Sequence, residues 1–281
     1  QEKILAIAAQ AGAEAIHPGY GFLSENPEFV DRCTAAKVTF IGPSPDSMAA
    51  FSLKHNARQL AQDHGVPLIP GSGLLNNKSE AISAAAAIGY PVMLKSSAGG
   101  GGIGMQVCHS ETELERSFDS VVRLGQNNFS DGRVFLEKYI EHARHIEVQV
   151  FGDGRGLAVH LGERDCSLQR RNQKVIEEAP APFLEEHLRR ELHETACRLL
   201  AKVNYANAGT VEFIFDSQAS AFYFLEVNTR LQVEHGVTEQ IYGLDLVQWM
   251  VEQAYAPIED LAQRKAKLYP RGHAIQARVY A

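Results

Sequence analysis

Along the first 65 residues, apolar positions alternate between helical spacing and short runs. Ile4 to Ala11 repeats at helical intervals, Ala15-Ile16 reads as a strand end, Pro27 to Ala36 as a helix capped by Asn26, and Val38 to Ile41 as a strand. Gly42-Pro43-Ser44-Pro45 marks a turn, and one helix is expected from Ser47 to His64, stopping at Gly65. Val66 to Gly73, broken by prolines and glycines, reads as a linker. Beyond it the pattern predicts a helix (Ser79 to Ile88), a strand (Pro91 to Lys95), a glycine loop and a strand (Met105 to Cys108). A helix opened by a capping box at Ser110 to Glu113 and a strand from Arg133 to Tyr139 complete this unit. From His145 strands dominate: His145 to Phe151, a turn at Gly152-Asp153-Gly154, then Leu157 to Gly162. A helix over 184–203 precedes strands over 209–216 and 222–234. The stretch Glu163 to Lys174 has no apolar period; taken alone it reads as a solvated charged face, and beside a nucleotide site it becomes a candidate anion-holding segment.

These patterns define an α/β (α+β) chain in three parts: residues 1–66, a lid-sized unit over 67–140, and a strand-rich unit over 141–281. At 281 residues the chain is about twice a typical domain length of ~150. Apolar residues at 45% and charged residues at 22% exclude a disordered, collagenous or coiled-coil polypeptide. With 27 basic and 34 acidic residues the net charge is −7, so no general field gathers polyanions. Nucleic acid and anionic membranes are poor partners on that ground, and any phosphate site must be local. Cys33, Cys108, Cys166 and Cys197 lie far apart without a C-x-x-C pair, which suggests neither a disulfide framework nor a zinc ribbon and fits a reducing cytoplasm. No apolar run reaches the roughly 18 residues of a membrane span. A start at Gln1 and an end inside an apparent strand suggest a piece cut from a longer protein.

Two constellations carry chemistry. In Ser96-Ser97-Ala98-Gly99-Gly100-Gly101-Gly102-Ile103-Gly104, bare main chain lets amide N–H groups wrap phosphate oxygens. The loop joins two strands rather than opening a helix, unlike a Walker or dinucleotide loop, and Lys95 at the end of the first strand can reach the phosphate it covers. A flexible hairpin tip is the plainer alternative. From Glu226 to Glu234, in an extended chain, Glu226, Asn228, Arg230, Gln232 and Glu234 share one face while Val227, Leu231 and Val233 share the other. If Asp216 pairs with Phe222, then Val211, Phe213 and Phe215 oppose Val227, Leu225 and Tyr223, and Glu212 stands opposite Glu226. Like charges so placed repel, and a divalent cation between them removes the repulsion; two solvent-exposed glutamates on a hairpin are the plainer alternative. His187, His193, Glu191 and Glu194 do not form H-E-x-x-H and read as ordinary helix residues.

Several long runs resemble biotin carboxylases of the ATP-grasp fold: His17-Pro18-Gly19-Tyr20-Gly21-Phe22-Leu23-Ser24-Glu25-Asn26, Glu137-Lys138-Tyr139, Arg144-His145-Ile146-Glu147, Glu163-Arg164-Asp165-Cys166-Ser167, Gln169-Arg170-Arg171, Glu177-Glu178-Ala179-Pro180-Ala181-Pro182, and Glu226 to His235. The resemblance covers essentially the whole chain. Asn172 stands where most of the family has His and Gly236 where it has Pro; with Gly102-Ile103-Gly104-Met105 these are similar to the urea carboxylase (urea amidolyase) branch. The resemblance implies an ATP-grasp fold truncated at both ends and MgATP-dependent carboxylation of biotin by bicarbonate through carboxyphosphate. It implies Glu212, Glu226 and Asn228 as holders of Mg²⁺ or Mn²⁺. Lys54, Lys95, Gly100, Gly101, Gly102, Gly104, Glu137, Lys138, Tyr139, His145 and Gln169 would hold the nucleotide. Lys174, Arg230, Gln232 and the Val233 N–H would clamp bicarbonate, Glu234 would be the general base, and Arg278 would stabilise the biotin enolate. The resemblance implies, as partners, biotin carrier and carboxyltransferase domains of the same polypeptide and a further copy of the chain. The biotin carboxylase parts of acyl-CoA or pyruvate carboxylases, and a regulatory ATP-binding module without chemistry, remain the alternatives.

Overall fold

The computed structural model describes residues 1–97 and 104–279. Helix α1 (Glu2–Ala11) ends at Gly12, whose left-handed φ of 64° turns the chain into β1 (Ala15–Ile16). A 3-10 turn (Phe22–Glu25) and α2 (Pro27–Ala35), capped by the Asn26 side chain, lead to β2 (Thr39–Phe40), which pairs parallel with β1. The expected single helix from Ser47 is two: α3 (Pro45–Ser52) and α4 (Lys54–Asp63), separated at Leu53 by one extended residue (φ −103°, ψ 123°). Ala57 and Ala61 keep the apolar phase running past the break, which hides it from the periodicity.

Residues 66–75 are not a free linker. Leu68 bridges Phe224, Gly71 bridges Glu137 and Leu75 bridges Val134, so this segment stitches two sheets together. Helix α5 (Lys78–Ile88), β3 (Val92–Ser96), β4 (Met105–Cys108), α6 (Glu111–Phe129) and β5 (Val134–Lys138) form the smaller unit, with the antiparallel strand order β4-β3-β5. Its inward face, Val92, Leu94, Val134 and Leu136, packs on Ala81 and Ala85 of α5 and Leu114, Phe118 and Val121 of α6. The opposite face carries Lys95 and Glu137, which pair with each other.

The larger unit contains β6 (Ala143–Asp153), β7 (Ala158–Arg170), β8 (Gln173–Ala179), α7 (Glu186–Ala201), β9 (Ala206–Asp216) and β10 (Ala221–Asn228). Helices α8 (His235–Tyr242), α9 (Leu246–Tyr255) and α10 (Leu261–Ala266) and strand β11 (Ala274–Ala277) follow. Its six strands are antiparallel in the order β10-β9-β6-β7-β8-β11. Three local expectations fail here. The turn foreseen at 152–154 falls at 154–156, because β6 continues through Asp153. The aperiodic stretch 163–174 is a β-hairpin: β7 runs to Arg170, Arg171 and Asn172 take left-handed φ of 51° and 63°, and β8 returns from Gln173. Strand β10 stops at Asn228 rather than 234 and carries a register shift between Phe224 and Glu226.

That shift alters the pairing reached from the sequence. Phe222 opposes Phe215 and Phe224 opposes Phe213, while Glu226 still opposes Glu212 and Val227 opposes Val211. Phe222 and Phe224, not Tyr223 and Leu225, therefore join Ile146, Val148, Val150, Val211, Phe213 and Phe215 on the buried face. This face packs against Leu188, Leu192, Ala196, Leu199 and Leu200 of α7 and Ala57 and Ala61 of α4. The other face of the same sheet carries the polar residues described next.

Candidate active site

Strand pairing alone sets three carboxylates in one row. Glu226 on β10 opposes Glu212 on β9, Glu212 opposes Glu147 on β6, and Glu147 opposes Arg164 on β7. Glu147 and Arg164 are wholly buried, at 0% exposure each. Such a row repels itself unless cations enter it. Arg164 supplies one, donating from Nε to Glu147 Oε1 (2.6 Å) and from Nη1 to Gln149 Oε1 (2.8 Å) and Thr238 Oγ1 (2.9 Å) on α8. Lys174 supplies the second, reaching in from the start of β8.

Lys174 Nζ is the hub. It donates to Glu147 Oε2, to Glu212 Oε1 (2.8 Å), to Glu234 Oε1 (2.7 Å) and to Gln232 Oε1 (3.4 Å). Burial alone would lower its pKa, but Glu147 and Glu212 outweigh that and raise it. Glu212 Oε1 also accepts from Asn228 Nδ2 (2.8 Å) and Gln232 Nε2 (3.0 Å), and Glu212 Oε2 lies 2.8 Å from His145 Nε2. Burial would raise the Glu212 carboxyl; His145 and Lys174 overcome it and hold the group well below the usual range. The same opposition lowers Glu147, where burial is overcome by Lys174 and Arg164.

Glu226 is the exception. Among the described residues it has no hydrogen-bond or ion-pair partner, and burial together with the Glu212 charge raises its pKa. A carboxylate left opposite another, with its affinity for a cation unmet, is what a divalent ion would neutralise. His145, Glu147 and Glu212 also bring their donor atoms within 4.8 Å of one another, but Lys174 already occupies the centre of that group.

Beyond Asn228 the chain leaves the sheet. The extended polar face expected through Glu234 is replaced by a turn, and Glu234 becomes the residue before α8, nearly fully buried. Its Oε1 accepts from Lys174 and its Oε2 from Arg278 Nη2 (2.9 Å); Arg278 Nε also donates to Glu177 Oε1 (2.6 Å). Arg230 donates from Nε to Glu25 Oε2 (2.9 Å) and from Nη2 to Asn228 Oδ1 (3.2 Å). Val233 is 38% exposed. Lys174, Glu212, Glu226, Asn228, Arg230, Gln232, Glu234, His145 and Arg278 thus meet on one face, and Gln169 faces His145 Nδ1 at 2.9 Å.

The remaining candidates lie on α4 and on the smaller unit. Lys95 and Arg58 of α4 both donate to the buried Glu137 carboxylate, whose pKa burial would raise but these cations lower. Lys54 opens α4 and its charge pulls down both Glu137 and Glu226. Lys138 Nζ donates to the Gly89 and Tyr90 carbonyls, and Lys138 and Tyr139 line a recess of about 200 Å³ with Pro70 and Tyr223. A larger cavity of about 580 Å³ opens between α4, residues 66–74, Ser97 and Phe135. Gly104 accepts from the Ser96 N–H at the base of the glycine loop; Gly100, Gly101 and Gly102 lie outside the described residues.

Sequence reasoning gives no role to Glu147, Arg164, Arg58, Glu177 and Glu25, although all but Arg58 stand in the runs that carry the family resemblance. For Glu147 a signal was present: His145, Glu147 and Gln149 alternate with Ile146, Val148 and Val150, so β6 has a continuous polar face. The others are brought in by tertiary pairing.

Residues 54–258 match the family described as carbamoyl-phosphate synthase L chain, ATP binding domain, and residues 1–48 match the biotin carboxylase N-terminal domain. The urea amidolyase of Saccharomyces cerevisiae is 55% identical over 279 residues, 99% of this chain and 15% of that protein. Among solved structures, a biotin carboxylase–βγ-ATP complex from Campylobacter jejuni superposes with a TM-score of 0.93 at 47% identity, covering 99% of this chain and 61% of that one. The biotin carboxylase domain of 2-oxoglutarate carboxylase from Hydrogenobacter thermophilus, in complex with MgADP, ADP and bicarbonate, superposes with a TM-score of 0.90 at 44% identity, over 99% and 61% of the two chains. The chain spans about 15% of the length of the curated urea amidolyases it matches.

Proposed function

The chain belongs to the carbamoyl-phosphate synthase L chain ATP-binding domain family, as an ATP-grasp biotin carboxylase domain, and from this we propose that it carboxylates biotin with bicarbonate and ATP within a urea carboxylase. The observation that carries the reading is the Lys174 hub: one ammonium shared by Glu147, Glu212 and Glu234, with Gln232, Arg230 and Arg278 around it. Nucleotide binding alone needs no such buried set. Bicarbonate in complex with MgADP on the Hydrogenobacter domain supports the same substrates here.

In this reading Lys174, Arg230, Gln232 and the Val233 N–H hold the bicarbonate anion. Glu234 takes its proton, and the anion's oxygen attacks the γ-phosphorus of ATP, releasing ADP and leaving carboxyphosphate. Both Glu234 oxygens accept hydrogen bonds from cations, so loading the anion requires Lys174 or Arg278 to exchange one of these contacts for one with bicarbonate. Arg278 bonds the Glu234 oxygen that Lys174 does not, and in this reading it balances negative charge on a biotin ring presented there. His145, Gln169, Lys138 and Tyr139 flank the nucleotide, and Lys54, Lys95 and the glycine loop take its phosphates. Glu226 and Glu212, with Asn228, fit a divalent cation, because Glu226 has no partner among the described residues and the two carboxylates repel. Mg²⁺ or Mn²⁺ bound there supplies neutralisation of the phosphate charge.

Biotin would arrive on a carrier domain and leave for a carboxyltransferase domain, both in the same longer polypeptide, as the short span of the urea amidolyases covered by this chain suggests. A cytoplasmic setting fits four cysteines that form no disulfide, and no helix among the described residues is long and apolar enough to cross a membrane. The test is ATP hydrolysis by the whole protein. It should depend on both bicarbonate and biotin, and Glu234→Gln should retain ATP binding while losing a factor of roughly 10² to 10⁴ in bicarbonate-dependent cleavage. A variant that loses ATP affinity but keeps turnover at saturating ATP would make Glu234 a nucleotide residue and sink the assignment.

A further inference from the structure

The run His17 to Asn26 comes from the N-terminal part of the chain, and none of the steps above uses it. The structure lays it along residues 228–235: Tyr20 Oη is 3.3 Å from His235 Nδ1, and Glu25, at the end of the 3-10 turn, reaches the segment that follows β10. One Glu25 oxygen, Oε1, accepts from the Thr229 N–H (2.9 Å) and from Thr229 Oγ1 (3.4 Å). The other, Oε2, accepts from Arg230 Nε (2.9 Å).

These contacts fall where the chain leaves the sheet. Asn228 is the last residue of β10 paired with β9, so the Thr229 N–H is the first that the ladder no longer uses. Thr229 is buried, and an N–H left there without an acceptor would be costly. Glu25 replaces the missing strand and thereby fixes the direction in which the next side chain emerges. With Nε held by Glu25 and Nη2 held by Asn228 Oδ1, the Arg230 guanidinium is restrained in its plane from two sides. One carboxylate thus secures both the backbone and the head group of a single arginine, from a site 205 residues away in sequence.

We infer that Glu25 is a positioning residue for Arg230: it touches no substrate, and it holds the guanidinium where bicarbonate binds. The inference rests on the functional reading above, which makes Arg230 part of the bicarbonate clamp. Losing the carboxylate leaves Arg230 charged but held from one side only, by Asn228, so affinity for the anion falls while the residues assigned to the nucleotide are untouched.

The experiment measures bicarbonate-dependent ATP cleavage by the whole protein, with Glu25→Gln, Arg230→Gln and the double variant. Glu25→Gln should raise the bicarbonate KM about 10-fold, with kcat reduced less than about 3-fold and the ATP KM changed less than about 2-fold. Added to Arg230→Gln, it should change the bicarbonate KM less than about 2-fold, since no guanidinium remains to be aimed. An unchanged bicarbonate KM, an ATP KM raised as much as that for bicarbonate, or full additivity in the double variant overturns the inference. Should Glu25→Gln lose its cooperative melting transition, Glu25→Asp carries the same test. It keeps the charge one methylene further back and must give an intermediate rise in the bicarbonate KM; no rise overturns the inference. If the parent protein shows no bicarbonate-dependent cleavage, the functional reading falls and takes this one with it. If the parent is active and only the variant's predicted KM shift is missing, this inference falls alone.

Discussion

Replacing Lys174 by Met removes the ammonium from a buried group of three carboxylates. Breaking a buried ion pair by deleting one partner costs roughly 3–5 kcal/mol, because the charge left behind is neither solvated nor paired. Here each carboxylate keeps another partner: Arg164 for Glu147, Arg278 for Glu234, and His145 with Asn228 and Gln232 for Glu212. The expected loss is therefore at the lower end, about 3 kcal/mol at neutral pH, or a fall of roughly 6–12 °C in melting temperature for a chain of this size. The pH dependence is the sharper test. In the parent, Glu147 and Glu212 titrate below their ordinary value of 4.5, so the stability they contribute is present above about pH 4.5 and is lost as pH falls through their depressed folded values. In Lys174→Met both groups lose an opposing cation, and burial pushes them back up. The gap between parent and variant should widen from pH 4 to pH 7 and then stay level. Calorimetric melting at half-unit pH intervals reads this directly; a gap that is absent at pH 7, or equal at pH 4 and pH 7, refutes the electrostatic account of the hub.

Glu226→Gln should raise the melting temperature of the metal-free protein by roughly 1–3 °C at pH 7.5 and leave it unchanged at pH 4. Its raised folded pKa means that the ionised form opposes folding as pH rises through that value, and a lower melting temperature at pH 7.5 would contradict this. The same variant should need several-fold more Mg²⁺ for half-maximal ATP cleavage; an unchanged requirement would place the metal elsewhere. Arg164→Met should cost about 3–5 kcal/mol, and combining it with Glu147→Gln should recover more than half of that, since the buried carboxylate is then neutral. Additive losses in that pair, read by denaturant melts, would mean that Arg164 acts mainly through Gln149 and Thr238.

Most elements were legible where apolar spacing and capping chemistry agree. Asn26, Ser110 and Asn77 each accept a backbone N–H at the start of a helix, as their residue types invite. What escaped was local geometry that leaves the apolar phase undisturbed. The break at Leu53 requires one extended residue between two helices whose buried positions continue in step. The hairpin at Arg171 and Asn172 looked aperiodic because β7 and β8 bury charged groups, Glu163, Arg164 and Glu177, on faces that an alternation rule expects to be apolar or wet.

The register between β9 and β10 shows how a correct pairing can rest on an incomplete argument. Matching apolar faces selected Glu212 opposite Glu226, and that pair is present, yet Phe222 and Phe224 rather than Tyr223 and Leu225 fill the core. A straight ladder cannot satisfy both the phenylalanines and the glutamates, since they require registers one residue apart. The register shift between Phe224 and Glu226 lets each half of the strand take the register its own side chains need. The consequence reaches the site. Were β10 straight in the register its phenylalanines demand, Glu226 would turn away from Glu212, and the row of carboxylates on β10, β9 and β6 would be broken. Core packing and site chemistry are therefore in direct conflict along this strand, and one irregular residue reconciles them.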